Sequence, residues 1–174
     1  MHINISISQQ TLTLFDDAGN VKMSYRISTA ANGVGCEKNS GCTPLGRHII
    51  RAKIGMGEPI NSVFVGRRPT GEICTPELIA EFPTRDWILT RILWLSGLEV
   101  GVNRLGNQDT MQRYIYIHGS PDSAEMGVAG SHGCVRMRNQ DIVELFDLVE
   151  VGTTVLISQG DVGARFIAPK GTAN

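Results

Sequence analysis

The sequence predicts a mainly β domain with a few short helices, a β-rich mixed sheet or sandwich. Apolar and polar residues alternate with period two over several stretches. Twenty glycines and seven prolines in 174 residues promise many tight turns. Helix signals are confined to the neighbourhoods of Thr75 and Asn139. At this length the chain fits one domain with enough residues for a real core.

The strands can be read in order. Ile3, Ile5 and Ile7 share one face, with Asn4, Ser6 and Ser8 on the other. Gln9-Gln10 turns the chain into 11–15, which is rich in strand formers. Residues 16–20 (Asp-Asp-Ala-Gly-Asn) have the composition of a turn. Val21, Met23, Tyr25 and Ile27 then alternate with polar neighbours, which completes an antiparallel meander. Thr43-Pro44-Leu45-Gly46 makes a rigid turn into a strand running to about Ile54. Ser62 to Gly66 is a short strand that ends at Arg67-Arg68-Pro69. Thr75 caps a helix with Pro76 at its first position, and Pro83 stops it. Residues 88–95 are apolar on nearly both faces, as in a central strand, and 103–112 read as a loop. Tyr114, Tyr116 and His118 share one face of the next strand, with Ile115 and Ile117 on the other. After an irregular stretch from 119 to 130, Asn139 caps a helix whose Ile142, Leu145, Phe146 and Val149 recur at helical spacing. Residues 153–157 form a last strand. The domain therefore spans 1–157, with 158–174 a loose tail.

Composition narrows the function. A hydrophobic fraction of 41% and a charged fraction of 19% describe an ordinary folded chain, and no run is long enough for a membrane helix. A net charge of −1 gives no field to recruit nucleic acid or an anionic membrane. The first residues alternate where an export signal needs basic residues before an apolar run. The expected compartment is the cytoplasm if the chain is complete, and the periplasm or cell wall if a leader was removed. The pattern fixes no oligomeric state. Cys36, Cys42, Cys74 and Cys134 do not make a disulfide framework for this length. Cys36 and Cys42 can pair or bind metal, but 33–42 reads first as a glycine-rich loop.

The chemistry concentrates in Ser131-His132-Gly133-Cys134-Val135-Arg136-Met137 and the upstream Ile117-His118-Gly119-Ser120. Cys134 supplies a sulfur nucleophile, but a thiol near pKa 8.5 needs a base beside it. His118, delivered by a strand end, is the better base; His132 assists, orients the loop or makes a structural hydrogen bond. Gly133 lets the backbone approach a substrate, and the amides near Gly133 and Cys134 suit an oxyanion, with Ser131 and Gly119 as the other residues of that loop site. Arg136 suits a substrate carboxylate or a structural salt bridge within its loop. Arg67 is a solvated cation or a second carboxylate contact, and Tyr116 packs in the sheet or lines the cleft. Two other readings use the same residues. His118, His132 and Cys134 are competent zinc ligands, with Cys36, Cys42 or Cys74 as a fourth, although no Cys-x-x-Cys knuckle is present. A module that kept the fold and only binds wall or peptide is the other.

Ser-His-Gly-Cys-Val-Arg-Met with His-Gly upstream, the Thr-Pro-x-Gly turn and the trailing helix-Gly-Thr-x-Val pattern resemble the YkuD-type L,D-transpeptidase domain over roughly residues 3–157. The resemblance implies a cysteine enzyme without cofactor or metal that acts on the D-alanine-terminated stem peptide of murein. It implies His118 as the base, steadied by a main-chain carbonyl in place of an acid. It implies a thioester resolved by an amine, giving 3–3 crosslinks or protein attachment, or by water, giving L,D-carboxypeptidase activity. It also implies acylation by carbapenems. With no leader visible, the expected role is trimming tetrapeptide to tripeptide during murein recycling.

Overall fold

A computed structural model describes residues 1–160 of the chain. The expected meander is present as β1 (His2–Ser6), β2 (Thr11–Phe15) and β3 (Val21–Ser28), each antiparallel to the next. β4 (Gly46–Ile54), β5 (Ser62–Val65) and β6 (Arg68–Ile73) follow. β7 (Ile88–Gly97), β8 (Tyr116–Ser120), β9 (Val135–Arg138) and β10 (Thr154–Ser158) complete the sheet. Two helices, α1 (Pro76–Glu81) and α2 (Asn139–Leu148), are short, as the sequence indicated.

The strands form one mixed sheet in the order β4-β10-β1-β2-β3-β9-β8-β7-β5-β6, and β4 also pairs with β7, so the ladder closes on itself. Most pairs are antiparallel; β1–β10 and β8–β9 are parallel. The inner face is lined by Ile3, Ile5, Leu12, Leu14, Ile27, Ile117, Val135 and Met137, all fully buried. α2 seals it with Ile142, Leu145 and Phe146. Each such side chain stabilises the fold by about 1.5–3 kcal/mol relative to exposure. Among the described residues no helix is long and apolar enough to cross a membrane.

Four elements differ from expectation. β6 was not anticipated, because Arg68-Pro69-Thr70-Gly71 has poor strand propensity; it pairs with β5 through a turn in which Gly66 and Arg67 both have positive φ. That is the geometry of a type I′ hairpin, which usually selects Asn or Gly where Arg67 stands. β9 was also missed, since its four residues follow the cysteine motif without a turn signal. Tyr114 does not share a strand face with Tyr116 and His118: it has φ +57°, lies before β8 and is exposed. Asn139 is the first residue of α2 and Arg138 is its cap; the Asn139 side chain is buried among other polar groups. The expected tail falls mostly on residues outside those described.

Candidate active site

The site lies on the face of β8 and β9 that turns away from the core. Ile117 of β8, like Ile115 just before the strand, enters the core, so Tyr116 and His118 face the other way. Along β9, Val135 and Met137 enter the core, so Arg136, and Cys134 before it, face the same way as His118. The parallel register sets Ile117 against Val135 and His118 against Arg136. Candidate nucleophile and candidate base therefore stand on neighbouring strands of one face, one pleat apart.

Cys134 is half-buried against Phe64, Ile92 and Tyr116. Its Sγ accepts the Tyr116 N–H at 3.3 Å and donates to the Tyr114 carbonyl at 3.4 Å. Burial pushes the thiol up to about 12, only partly countered by the Tyr116 amide. His118 is 1% exposed, and its Nδ1 lies 2.6 Å from the Gly119 carbonyl. A carbonyl oxygen can only accept, so the neutral ring carries its proton on Nδ1 and presents a bare Nε2. Burial lowers the His118 pKa below its ordinary value, with the Gly119 carbonyl opposing. The resting pair is thus neutral thiol and neutral imidazole.

The Ser131–Cys134 loop is tied down from several sides. The Ser131 hydroxyl donates to the Cys134 carbonyl and accepts the Gly133 N–H at 3.2 Å. Gly133 has φ +133°, which glycine adopts readily and other residues avoid. Thr43, from the Thr-Pro turn, donates to the Gly133 carbonyl at 2.9 Å and accepts the Ala30 N–H at 3.0 Å. The glycine-rich loop lies behind, latched by Arg113, which donates to the carbonyls of Gly35 and Cys42 at 3.2 and 2.7 Å. With its N–H already taken by Ser131, Gly133 is a weaker oxyanion donor than its place in the motif suggests. Gly119, the other glycine of the site, is small for a different reason: a Cβ there would meet the Leu89 carbonyl at 2.7 Å.

His132 and Arg136 sit at the rim. The His132 side chain is 72% exposed, with Nδ1 3.5 Å from Asp86. Arg136 donates to Asp86 at 3.1 Å and to the Gly130 carbonyl at 3.1 Å. Asp86 was not singled out from the sequence; it follows Pro83 by three residues in a loop that carries no motif. Arg67, by contrast, points into the site. Its guanidinium lies over the neighbouring rings of Trp94 and Tyr114, 4.7 and 4.8 Å from their centroids, and donates to the Tyr116 hydroxyl at 3.0 Å. Among the described residues it has no carboxylate partner.

The zinc alternative is not supported by this arrangement. Among the described residues no group of three or more His, Cys, Asp or Glu side chains is placed to hold a metal ion. Cys74 packs with Val63, Trp87 and Leu89 in a separate cluster. Cys36 and Cys42 are free thiols that donate to carbonyls, of Leu45 for Cys36 and of Asn32 and Ser40 for Cys42.

A model of the L,D-transpeptidase catalytic domain named YkuD matches residues 1–157. The Bacillus subtilis protein YkuD is 46% identical over 43 residues, a stretch covering 25% of this chain and 26% of that protein. The Enterococcus faecium L,D-transpeptidase C442S mutant superposes with a TM-score of 0.54 at 18% identity, covering 90% of this chain and 49% of that one. An L,D-transpeptidase solved in complex with imipenem, LdtMt1, gives a TM-score of 0.53 at 21% identity over 90% of this chain and 57% of that one. The chain thus spans about half the length of these solved relatives, and with the match over residues 1–157 it belongs to the YkuD family of L,D-transpeptidase catalytic domains.

Proposed function

We propose that this domain performs cysteine acyl transfer on the murein stem peptide, with Cys134 as nucleophile and His118 as general base. The observation that carries this reading is the pairing of β8 with β9, which leaves a thiol and a tautomer-fixed imidazole on one face, one pleat apart. His118 Nε2 takes the thiol proton as sulfur attacks the carbonyl before the terminal D-alanine. The protonated ring then delivers that proton to the departing D-alanine nitrogen, leaving a thioester. A thiol pushed up to about 12 is no standing thiolate, so the base must act during the attack.

Arg67 is the better anchor for a stem-peptide carboxylate. Arg136 already faces Asp86, which a substrate would have to displace, whereas Arg67 offers a guanidinium preoriented over two rings. Water is the acceptor we favour, giving an L,D-carboxypeptidase that shortens tetrapeptide to tripeptide, with the cytoplasm as its site of action. A transpeptidase must shield its thioester from water, and the loop from Gly119 to Gly130 offers little for that: Met126 is buried, leaving Val128 as its exposed large apolar residue.

The test is to incubate the protein with murein tetrapeptide, with and without an amine acceptor, and to weigh the products. Tripeptide and free D-alanine should dominate in both, and Cys134→Ala should retain less than about a hundredth of the turnover. A carbapenem should add once to the wild type and not to Cys134→Ala. Crosslinked dimer as main product would replace hydrolysis by transpeptidation; a Cys134→Ala enzyme keeping a tenth of the turnover would end the nucleophile assignment.

A further inference from the structure

Opposite His118 and Gly119, strand β7 does not run straight. Its register against β8 shifts between Leu89 and Ile92, a bulge that contains Thr90 and Arg91. Thr90 is fully buried and stands at φ +74°, a region that β-branched residues avoid. Such a residue persists only where its surroundings over-determine it, and here they do. The Thr90 hydroxyl accepts the Asn61 N–H at 3.1 Å and donates to Asn139 Oδ1 at 2.6 Å. Asn139 Nδ2 donates in turn to Asn61 Oδ1 at 2.8 Å, so the three residues close a ring. Arg91 holds the bulge from behind by donating to the carbonyls of Thr90 and Glu58 at 2.6 and 2.8 Å.

Gly119 rests directly on this ring. A Cβ on Gly119 would lie 2.5 Å from Asn139 Oδ1 and 3.1 Å from the Thr90 Cβ. The carbonyl of that same residue is the one that accepts from His118 Nδ1. We propose that Thr90, Asn139 and Asn61 are positioning residues for His118, fixing the Gly119 backbone and through its carbonyl the orientation and tautomer of the imidazole. None of the three is assigned to touch substrate. The proposal rests on the reading of His118 as the base, and it explains why a strained threonine is kept in the middle of a central strand.

Two readouts test it without a peptide substrate. Long-range proton–nitrogen correlation reports the His118 tautomer, and iodoacetamide labelling followed at the Cys134 peptide, as a function of pH, reports the action of the base. Thr90→Val keeps the shape and removes the hydroxyl, while Thr90→Ser restores it. Wild type and Thr90→Ser should show one Nδ1–H tautomer and label within about twofold of each other. Thr90→Val should mix tautomers and label at least about tenfold more slowly at pH 7. Asn61→Gly, which suits the φ of +68° at that position, should move both readouts the same way by less. An unchanged tautomer and rate in folded Thr90→Val overturns the proposal, as does a Thr90→Ser variant that behaves like Thr90→Val. Should Thr90→Val fail to fold, Asn61→Gly decides by the same two readouts. A tautomer that responds as expected in a protein with no turnover of tetrapeptide would sustain the positioning role and sink the peptidase reading.

Discussion

His118 and His132 each stand before a glycine, and in the sequence only the strand end that delivers His118 sets it apart as the base. The structure separates them by environment. His118 is buried, its Nδ1 bound to a carbonyl and its orientation fixed by the strand that carries it. His132 stands in solvent, sharing Asp86 with Arg136. The contrast teaches that a base is made by restraint as much as by residue type: a ring with one nitrogen tied to a carbonyl has a known free nitrogen, whereas an exposed ring at the rim has none fixed in that way.

The largest expected effect follows from that contrast. His118→Ala should lower kcat on tetrapeptide by about 10²–10⁴, the usual worth of a positioned base. His132→Ala should cost less than about tenfold, the scale of an exposed ion pair and local loop order. The opposite ranking in kcat would transfer the base to His132. A second effect is on pH dependence. Burial lowers the His118 pKa, so the ring stays neutral into mild acid, and the acid limb of kcat/KM should fall below pH 6.5. In His118→Ala the limb should vanish, and the residual rate should climb steadily with pH as the Cys134 thiol, itself pushed up to about 12, ionises on its own. A wild-type limb above pH 6.5 would show that the titrating group is not His118. The smallest effect concerns the two arginines of the site. Arg67→Ala should raise KM by about five- to thirtyfold with kcat nearly unchanged, as expected for loss of a uniform binding contact. Asp86→Asn, which frees Arg136, should leave KM within about threefold; a large drop in KM would mean that Arg136 was the carboxylate site held in reserve.

Much of the fold was legible because one face of nearly every strand is buried. Ile3 and Ile5, or Ile115 and Ile117, announce a core face by alternation, and α2 announces its packed stripe at Ile142, Leu145 and Phe146. Cys134 and His118 were legible as a motif with a chemical rationale. What escaped was held by geometry that propensity does not encode. The hairpin of β5 and β6 turns on an arginine with positive φ, a choice local rules do not predict. The Thr90 bulge lies inside a stretch that reads as an uninterrupted central strand. Asn139 has the look of a helix cap, and only the fold shows its side chain turned inward to Thr90. Asp86 and Trp94 contribute through partners far away in the chain, which no local pattern can reveal.

The parallel pairing of β8 with β9 has an evolutionary consequence. A hairpin fixes its register by the length of its turn, so any insertion there would move one strand against the other. Parallel neighbours are joined by an excursion, here residues 121–134, whose length leaves their alignment untouched. Alignment is fixed instead by Val135 and Met137 dropping into the core beside Ile117. The part of it ahead of the tethered Ser131–Cys134 loop, residues 121–130, is therefore free to grow or shrink, at a closure cost of only about 0.6 kcal/mol per doubling. A lineage could reshape the rim of the cleft, and with it the choice of acceptor, without disturbing the sulfur or the imidazole. The same lineage could not remove one residue from β9, because a single step would swing Cys134 from the cleft into the core.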